Sequence, residues 1–278
     1  MTHDSPDRKT ADAFATSWND LPTGSVYTRE QFVDWFDPVT PDDIRGKRVL
    51  ELGFGNGSLL HHVASCDPST LTGVELGETF EAARANVPPA FSGELRLIRG
   101  DLTRVDAGTH DLVYCIGVIH HLDDPEEGFR AVIRHTAPAG RFHCWVYAKE
   151  GNGIVIALVD PLRRIASRLP WRLTKWAIAL PLAFPFFGGA KLIAAMVRVW
   201  PRSRVFLPLP DYCTWIAKRE FAFFHHVAFD QLVTPTTKYI GREELERWLR
   251  SPEIESGSSY LILRNGNSWK FGGRRRSS

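Results

Sequence analysis

The sequence has little net charge, few cysteines and no apolar opening. Across 278 residues, 34 Lys and Arg face 32 Asp and Glu, leaving a formal charge of +2. No whole-protein field therefore points to nucleic acid as a partner. The four cysteines, Cys66, Cys115, Cys144 and Cys213, stand far apart and form no CxxC pair. Cys115 and Cys144 fall in strand-like runs and read as reduced core residues, a usage that suits a reducing compartment. The opening "MTHDSPDRKTADAF" is polar, with no apolar core of a secretory signal, so a cytoplasmic location is expected. No Gly-Lys-Ser/Thr triplet occurs, which excludes a phosphate-cradling P-loop. No internal repeat is present.

What the chain does have is an alternation of apolar strands and helical patterns. Residues 1–20 read as loosely attached. "TREQFVDWF" reads as a helix with a capping box, Thr28 with Gln31 three residues on. Then follow strand 48–53, helix 57–65, strand 70–76, helix 78–86, strand 94–99, strand 111–117, helix 125–136 and strand 141–148. Nearly continuous apolar strands such as "DLVYCIGV", separated by helices, predict a parallel sheet covered on both faces. The rhythm breaks at Gly151 and resumes after residue 240 with helix "REELERWL", strand "SYLILRN" and a polar ending "GNSWKFGGRRRSS". Three units are expected: an N-terminal helical lid, 1–45; a core, 46–150 and 240–278; and an insertion, 151–239.

The first strand runs into Glu51-Leu-Gly53-Phe-Gly55-Asn-Gly57 and directly into a helix. A nicotinamide-binding turn has G-x-G-x-x-G; here the third glycine comes one residue early and Ser58 takes its place. That weakens the reading of an NAD(P)-dependent oxidoreductase, which stays open as an alternative. E-x-G-x-G-x-G resembles the first motif of the class I S-adenosylmethionine-dependent methyltransferases. Glu75 ends the second strand eighteen residues after Gly57, Asp101 ends the third in "LIRGDL", and "DLVYCIGVIHHLDDPEEGFRAVIRHTAPAGRF" is similar to the family's fourth strand, its helix and the turn beyond.

The resemblance covers residues 46–148 and, more loosely, the last forty. It implies an α/β, doubly wound, mostly parallel seven-stranded Rossmann-like fold of a small-molecule methyltransferase, with a helical insertion. It also implies a cofactor site for S-adenosylmethionine. The methionine carboxylate would lie over the amides of Gly53, Gly55 and Gly57, its ammonium toward Glu51, and the ribose hydroxyls on Glu75 beside Leu76. The adenine would meet Asp101 and the amide of Leu102, with Ile116 and Gly117 completing the set. A non-catalytic cofactor-binding or membrane-associated protein is the other alternative.

The acceptor is narrowed by absences. The fourth strand ends "CIGVIHHL", with no Asn/Asp-Pro-Pro-aromatic tetrad for planar amino groups and no Pro-Cys nucleophile. Together with the near-neutral charge, these favour a small or lipid-like hydrophobic acceptor, modified on oxygen rather than carbon or nitrogen, and no nucleic acid. His120 and His121 follow that strand at the mouth where the methyl should point, and either is a candidate general base. His225 and His226 are further candidates from the lid, and Trp18 and Tyr27 are candidate lid aromatics. The adjacent histidine pairs 61/62, 120/121 and 225/226 complete no spaced ligand set, so no metal is expected.

The insertion sets this chain apart. From Asp160 to Arg204 it has nine Lys or Arg and a single acid. "DPLRRIASRL" suggests a helix capped by Asp160 with Pro161 first, Leu162, Ile165, Ala166 and Leu169 on one face and Arg163, Arg164 and Arg168 elsewhere. A second stripe is Leu192, Ala195, Met196 and Val199. Three readings stay open. It caps an acceptor pocket or forms a homodimer face; it rests on the inner face of a membrane with Trp171, Trp176 and Trp200 at the boundary; or it spans one. Lys191, two prolines and a Gly-Gly pair argue against the span.

Overall fold

The structure, a computed structural model, describes residues 6–19 and 26–277. Seven strands form one sheet: β1 Arg48–Leu52, β2 Thr70–Glu75, β3 Glu94–Arg99, β4 His110–Ile116, β5 Thr136–Tyr147, β6 Tyr260–Arg264 and β7 Ser268–Arg274. Their spatial order is β3-β2-β1-β4-β5-β7-β6, with β7 alone antiparallel to its neighbours. The helices are α1 Pro6–Asn19, α2 Arg29–Phe36, α3 Ser58–Ala64, α4 Phe80–Asn86, α5 Pro125–His135, α6 Gly153–Ala166, α7 Trp171–Val199, α8 Pro210–Ile216, α9 Phe221–Val233 and α10 Arg242–Leu249.

The apolar runs read from the sequence are continuous because both faces of the sheet are buried. Val49, Leu71, Leu112 and Tyr114 pack beneath Phe32 and Phe36 of α2 and Leu60 and Val63 of α3. Leu50, Leu52, Val113 and Cys115 face the other way, against Phe129 and Val132 of α5 and Leu245 and Trp248 of α10. Cys115 and Cys144 are free thiols with 0% exposure in neighbouring strands. The expected capping box at Thr28 and Gln31 is formed, and Asp124 caps α5 through the amides of Glu126 and Glu127. Strand order reverses between β1 and β4, so the carboxyl ends of the strands leave a crevice there, where open α/β sheets take ligands.

The insertion leaves and rejoins the sheet at adjacent points: Ile240 N donates to Tyr147 O (2.9 Å) and Lys149 N to Ile240 O (3.0 Å). Between them α6–α9 build two small cores of their own. One contains Ala166, Phe229 and Leu232; the other contains Ala183, Phe187, Ile216 and Phe224.

Several local expectations are corrected. Residues 6–19 are a helix tied to the core rather than a loose end: Arg8 donates to Leu76 O at 3.2 Å, and Asp7 accepts from Asp123 N at 2.7 Å. β5 begins at Thr136, ahead of the expected 141. Asp160 and Pro161 do not start a helix, since α6 already runs from Gly153 and Pro161 sits inside it. Pro161 forgoes one bond to the preceding turn, and Arg163 ties the site down instead. It is 3% exposed, pairs with Asp160 and donates to Gln231 O (2.6 Å) and Gln231 Oε1 (2.7 Å) on α9. Arg163 thus points inward while Ile165 is exposed. Leu192, Met196 and Val199 are exposed as well, and α7 is held through Ala183, Phe187, Ala190 and Val197. The ending that looks polar in composition holds β7, which with β6 forms the antiparallel pair that the resemblance implied over the last forty residues, and its residues Ser268 to Gly273 are buried.

Candidate active site

The glycine turn is shaped by close approaches that only glycine allows. Gly53 has φ +82°, and a Cβ there would stand 2.5 Å from Val118 Cγ2. Gly57 has φ +79° and caps α3; its Cβ would meet the Ala83 backbone at 2.7 Å. The third glycine therefore sets the packing of α3 on α4. It lies behind the cavity described below, whereas Gly53 and Gly55 line it.

Three carboxylates gather at the strand ends. Glu51 is 1% exposed and accepts the Tyr114 hydroxyl at 2.7 Å. Burial pushes its carboxyl up to about 8, the nearby Glu75 charge adds to this, and the Tyr114 bond opposes it. A buried acid held this high carries a proton at neutral pH and would give it up when a cation such as an ammonium group stands beside it. Glu75 Oε2 accepts from Gly55 N at 3.0 Å, and Oε1 from Leu76 N and Gly77 N, both at 2.8 Å. Three of roughly four acceptor positions on this carboxylate are therefore taken. One remains for a ribose hydroxyl, and a second hydroxyl would have to share. Asp101 Oδ1 accepts from Thr103 N (2.9 Å) and Thr103 Oγ1 (2.6 Å), and its Oδ2 lies 3.6 Å from Arg104 Nε.

Substituting Glu75→Ala should weaken S-adenosylhomocysteine binding by roughly 1–3 kcal/mol, through the lost ribose bond and a loosened turn. Calorimetric titration of the folded variant measures it; unchanged affinity would remove Glu75 from the ribose site.

One cavity of about 790 Å³ joins these groups. Glu51, Gly53, Gly55, Glu75, Leu76, Asp101, Leu102, Ile116 and Gly117 all line it. So does His121, whereas His120 does not. His120 is 0% exposed, both ring nitrogens lack a hydrogen-bond partner among the described residues, and its ring lies 4.2 Å from those of His121 and Tyr147. His121 Nδ1 faces Thr236 O at 2.9 Å, which requires Nδ1 to carry the proton and leaves the lone pair on Nε2. Burial lowers its pKa to about 4, against the pull of that carbonyl.

His225 Nε2 faces Lys175 O at 2.9 Å, and His226 stands edge-on to Trp18 with ring centres 5.4 Å apart; neither lines the cavity. Trp18 and Tyr27 do line it and meet edge to face at 5.9 Å. Residues 20–25 of the expected lid lie outside the described residues. Among the described residues, no group of three or more His, Cys, Asp or Glu could hold a metal ion.

Beyond the strand ends the same cavity runs on into the insertion, past Val159, Leu182, Ile193, Phe224 and Ala228. Sequence patterning could not assign these residues, because a helix apolar nearly all round does not say which side faces a ligand. Arg264 and Asp230 also line it. Arg264 is 7% exposed, donates to Asp34 through Nε (2.8 Å) and lies over the Trp215 ring at 5.0 Å. A charged residue in a strand next to the polar ending carried no signal of this role.

Sheet order, glycine turn and strand-end acids are those of the fold that the sequence resembles, the class I S-adenosylmethionine-dependent methyltransferase fold. Residues 50–144 match the family described as "Methyltransferase domain". An uncharacterized protein of Synechococcus sp. is 30% identical over 129 residues, covering 42% of this chain and 31% of that protein. The ubiquinone biosynthesis O-methyltransferase of Vibrio campbellii is 32% identical over 122 residues, covering 42% of this chain and 51% of that enzyme. The chain thus spans about half the length, or less, of these curated relatives. Magnesium protoporphyrin IX methyltransferase from Synechocystis, solved with bound S-adenosylmethionine, shares the fold: TM-score 0.52, 11% identity, and 99% of each chain covered.

Proposed function

We propose that this protein transfers the methyl group of S-adenosylmethionine to a small, hydrophobic or lipid-like acceptor, with oxygen as the receiving atom. The observation that carries this reading is the single cavity, which joins the glycine turn and its acids to an apolar chamber built by the insertion. Its volume falls within the range of small-molecule sites. The partial likeness to enzymes named for O-methylation in ubiquinone biosynthesis supports the choice of oxygen.

Bound S-adenosylmethionine supplies a methyl group on a sulfonium, open to in-line attack. The chain's part is to place the acceptor oxygen about 3 Å from that carbon and to exclude water. The turn and the strand-end acids hold the donor, α1 with Trp18 and Tyr27 covers it, and the insertion holds the acceptor's apolar body. His121, which lines the cavity, would take the acceptor hydroxyl's proton through Nε2.

The deciding experiment titrates detergent-free protein with S-adenosylhomocysteine, then screens hydrophobic phenols, alcohols and carboxylic acids for label from methyl-labelled cofactor. Cofactor binding and a methylated product support the reading. Binding of NADH in its place would overturn it in favour of an oxidoreductase. Cofactor binding with no product from any acceptor would favour a non-catalytic protein.

A further inference from the structure

The apolar end of the cavity meets an unusual surface. Ile154 (51% exposed), Leu182 (37%) and Phe186 (56%) line the cavity and are also exposed. α7 and the turn after it also expose Phe184, Leu192, Met196, Val199, Trp200, Val205 and Phe206, with Phe184 at 73%, Phe206 at 78% and Val199 at 85%. Soluble monomers rarely leave so many large apolar groups of one short segment in water.

The charge along this segment is nearly all of one sign, Asp211 pairing with Arg204 at its end. No acid occurs between Asp160 and Asp211, while nine Lys or Arg do. Arg164, Arg168, Arg172, Lys191, Arg198 and Arg202 are all exposed. α7, at 29 residues, is long and apolar enough to cross a membrane by length and composition. It is instead held along its length by a stripe against α8 and α9, through Ala183, Phe187 and Ala190. An apolar helix with one side on the protein, the other bare, and cations around it has the make-up of an interfacial element. A second copy of the chain would bring like charges together on this face, whereas an anionic leaflet complements it.

We propose that α7 and the 200–206 turn rest on an anionic lipid bilayer, and that the acceptor enters the cavity from the lipid, between Ile154, Leu182 and Phe186. The entry route rests on the methyltransferase reading; the docking does not.

The test is co-sedimentation of the full, detergent-free chain with vesicles of phosphatidylcholine alone or mixed with phosphatidylglycerol, at low and high salt. Binding to the mixed vesicles should be at least about tenfold tighter and should weaken with salt. Arg168→Glu with Arg172→Glu should remove the preference, and Phe184→Ser with Phe206→Ser should release the protein at high salt. Calorimetry with S-adenosylhomocysteine on each variant should give the wild-type affinity, which also reports that the variant is folded. Equal recovery in the supernatant with both vesicles at low salt would overturn the docking while leaving the cofactor reading intact. A dimer by sedimentation velocity that vesicles do not dissociate would overturn it in favour of a second copy. Vesicle binding by a chain that binds no S-adenosylhomocysteine would keep the docking and remove the methyltransferase reading, and with it the entry route.

Discussion

Replacing His121 by Asn should lower kcat by about 10²- to 10⁴-fold, the range a positioned general base contributes, and leave S-adenosylhomocysteine affinity unchanged. Asn retains an N–H for Thr236 O, the partner of His121 Nδ1 at 2.9 Å, so the loop before α10 should keep its anchor. What the variant loses is the Nε2 lone pair of a side chain that lines the cavity. The pH profile separates this base from an ordinary histidine. Burial lowers His121 to about 4, so the proton-accepting form is present throughout the neutral range. Activity should then fall only as pH drops toward 4, with no inflection at the usual histidine value near 6.5. A kcat within a few-fold of wild type would place the proton elsewhere. An inflection near 6.5 that persists in the Asn variant would do so too. His120 makes a useful contrast: it lies behind His121 with no exposure, so its replacement should lower thermal stability before it touches turnover.

The cofactor half of the site was legible because it is written in local signals. The strands β1, β2 and β4 are apolar runs buried along most of their length, and a glycine or an acid stands at or just beyond the carboxyl ends of β1 to β4, so Glu51, Glu75 and Asp101 could be placed from the sequence. The two adjacent histidines could not be separated. They share a 3₁₀ turn, Ile119–His121, and which of them reaches the cavity depends on packing against Tyr147 and Phe14 from distant parts of the chain.

The insertion misled for a related reason. Asp160-Pro161 is a sound helix-start signal, but Arg163 has buried partners on α9 and the helix runs through the proline. β7 belongs to the antiparallel pair that the resemblance implied, but its composition alone looks polar. Lys270 is 4% exposed, and its Nζ donates to Asp34 O and Asp37 Oδ2, each at 2.9 Å. Alternation along β7 therefore places Trp269 and Phe271 on one face and a paired cation on the other. In each case a charge that looked solvated also has a partner more than sixty residues away, which no window along the chain can show.

Cofactor affinity should rise with pH, and Glu51 should be the cause. In the free protein burial holds its carboxyl up to about 8, so it is mostly protonated at neutral pH. An ammonium group arriving beside it favours the ionised form, and the proton must leave. Binding that releases one proton tightens by up to tenfold per pH unit, or roughly fiftyfold from pH 6 to 8. The slope should flatten near pH 8, where Glu51 is ionised in the free protein and an α-amino group begins to lose its own proton. The same shift acts on folding with the opposite sign. A carboxyl whose folded pKa is raised binds more protons folded than unfolded, so the ligand-free protein should lose stability as pH rises from about 4.5 toward 8. Ligand-induced stabilisation should then grow across that window. Calorimetry of S-adenosylhomocysteine binding in buffers of different ionisation enthalpy counts the released proton directly. Glu51→Gln should abolish both the proton release and the slope, leaving a weak, pH-independent affinity below pH 8. A slope that survives in the Gln variant would assign the linkage to another group, and a wild-type protein with no proton release would mean that no ammonium reaches Glu51.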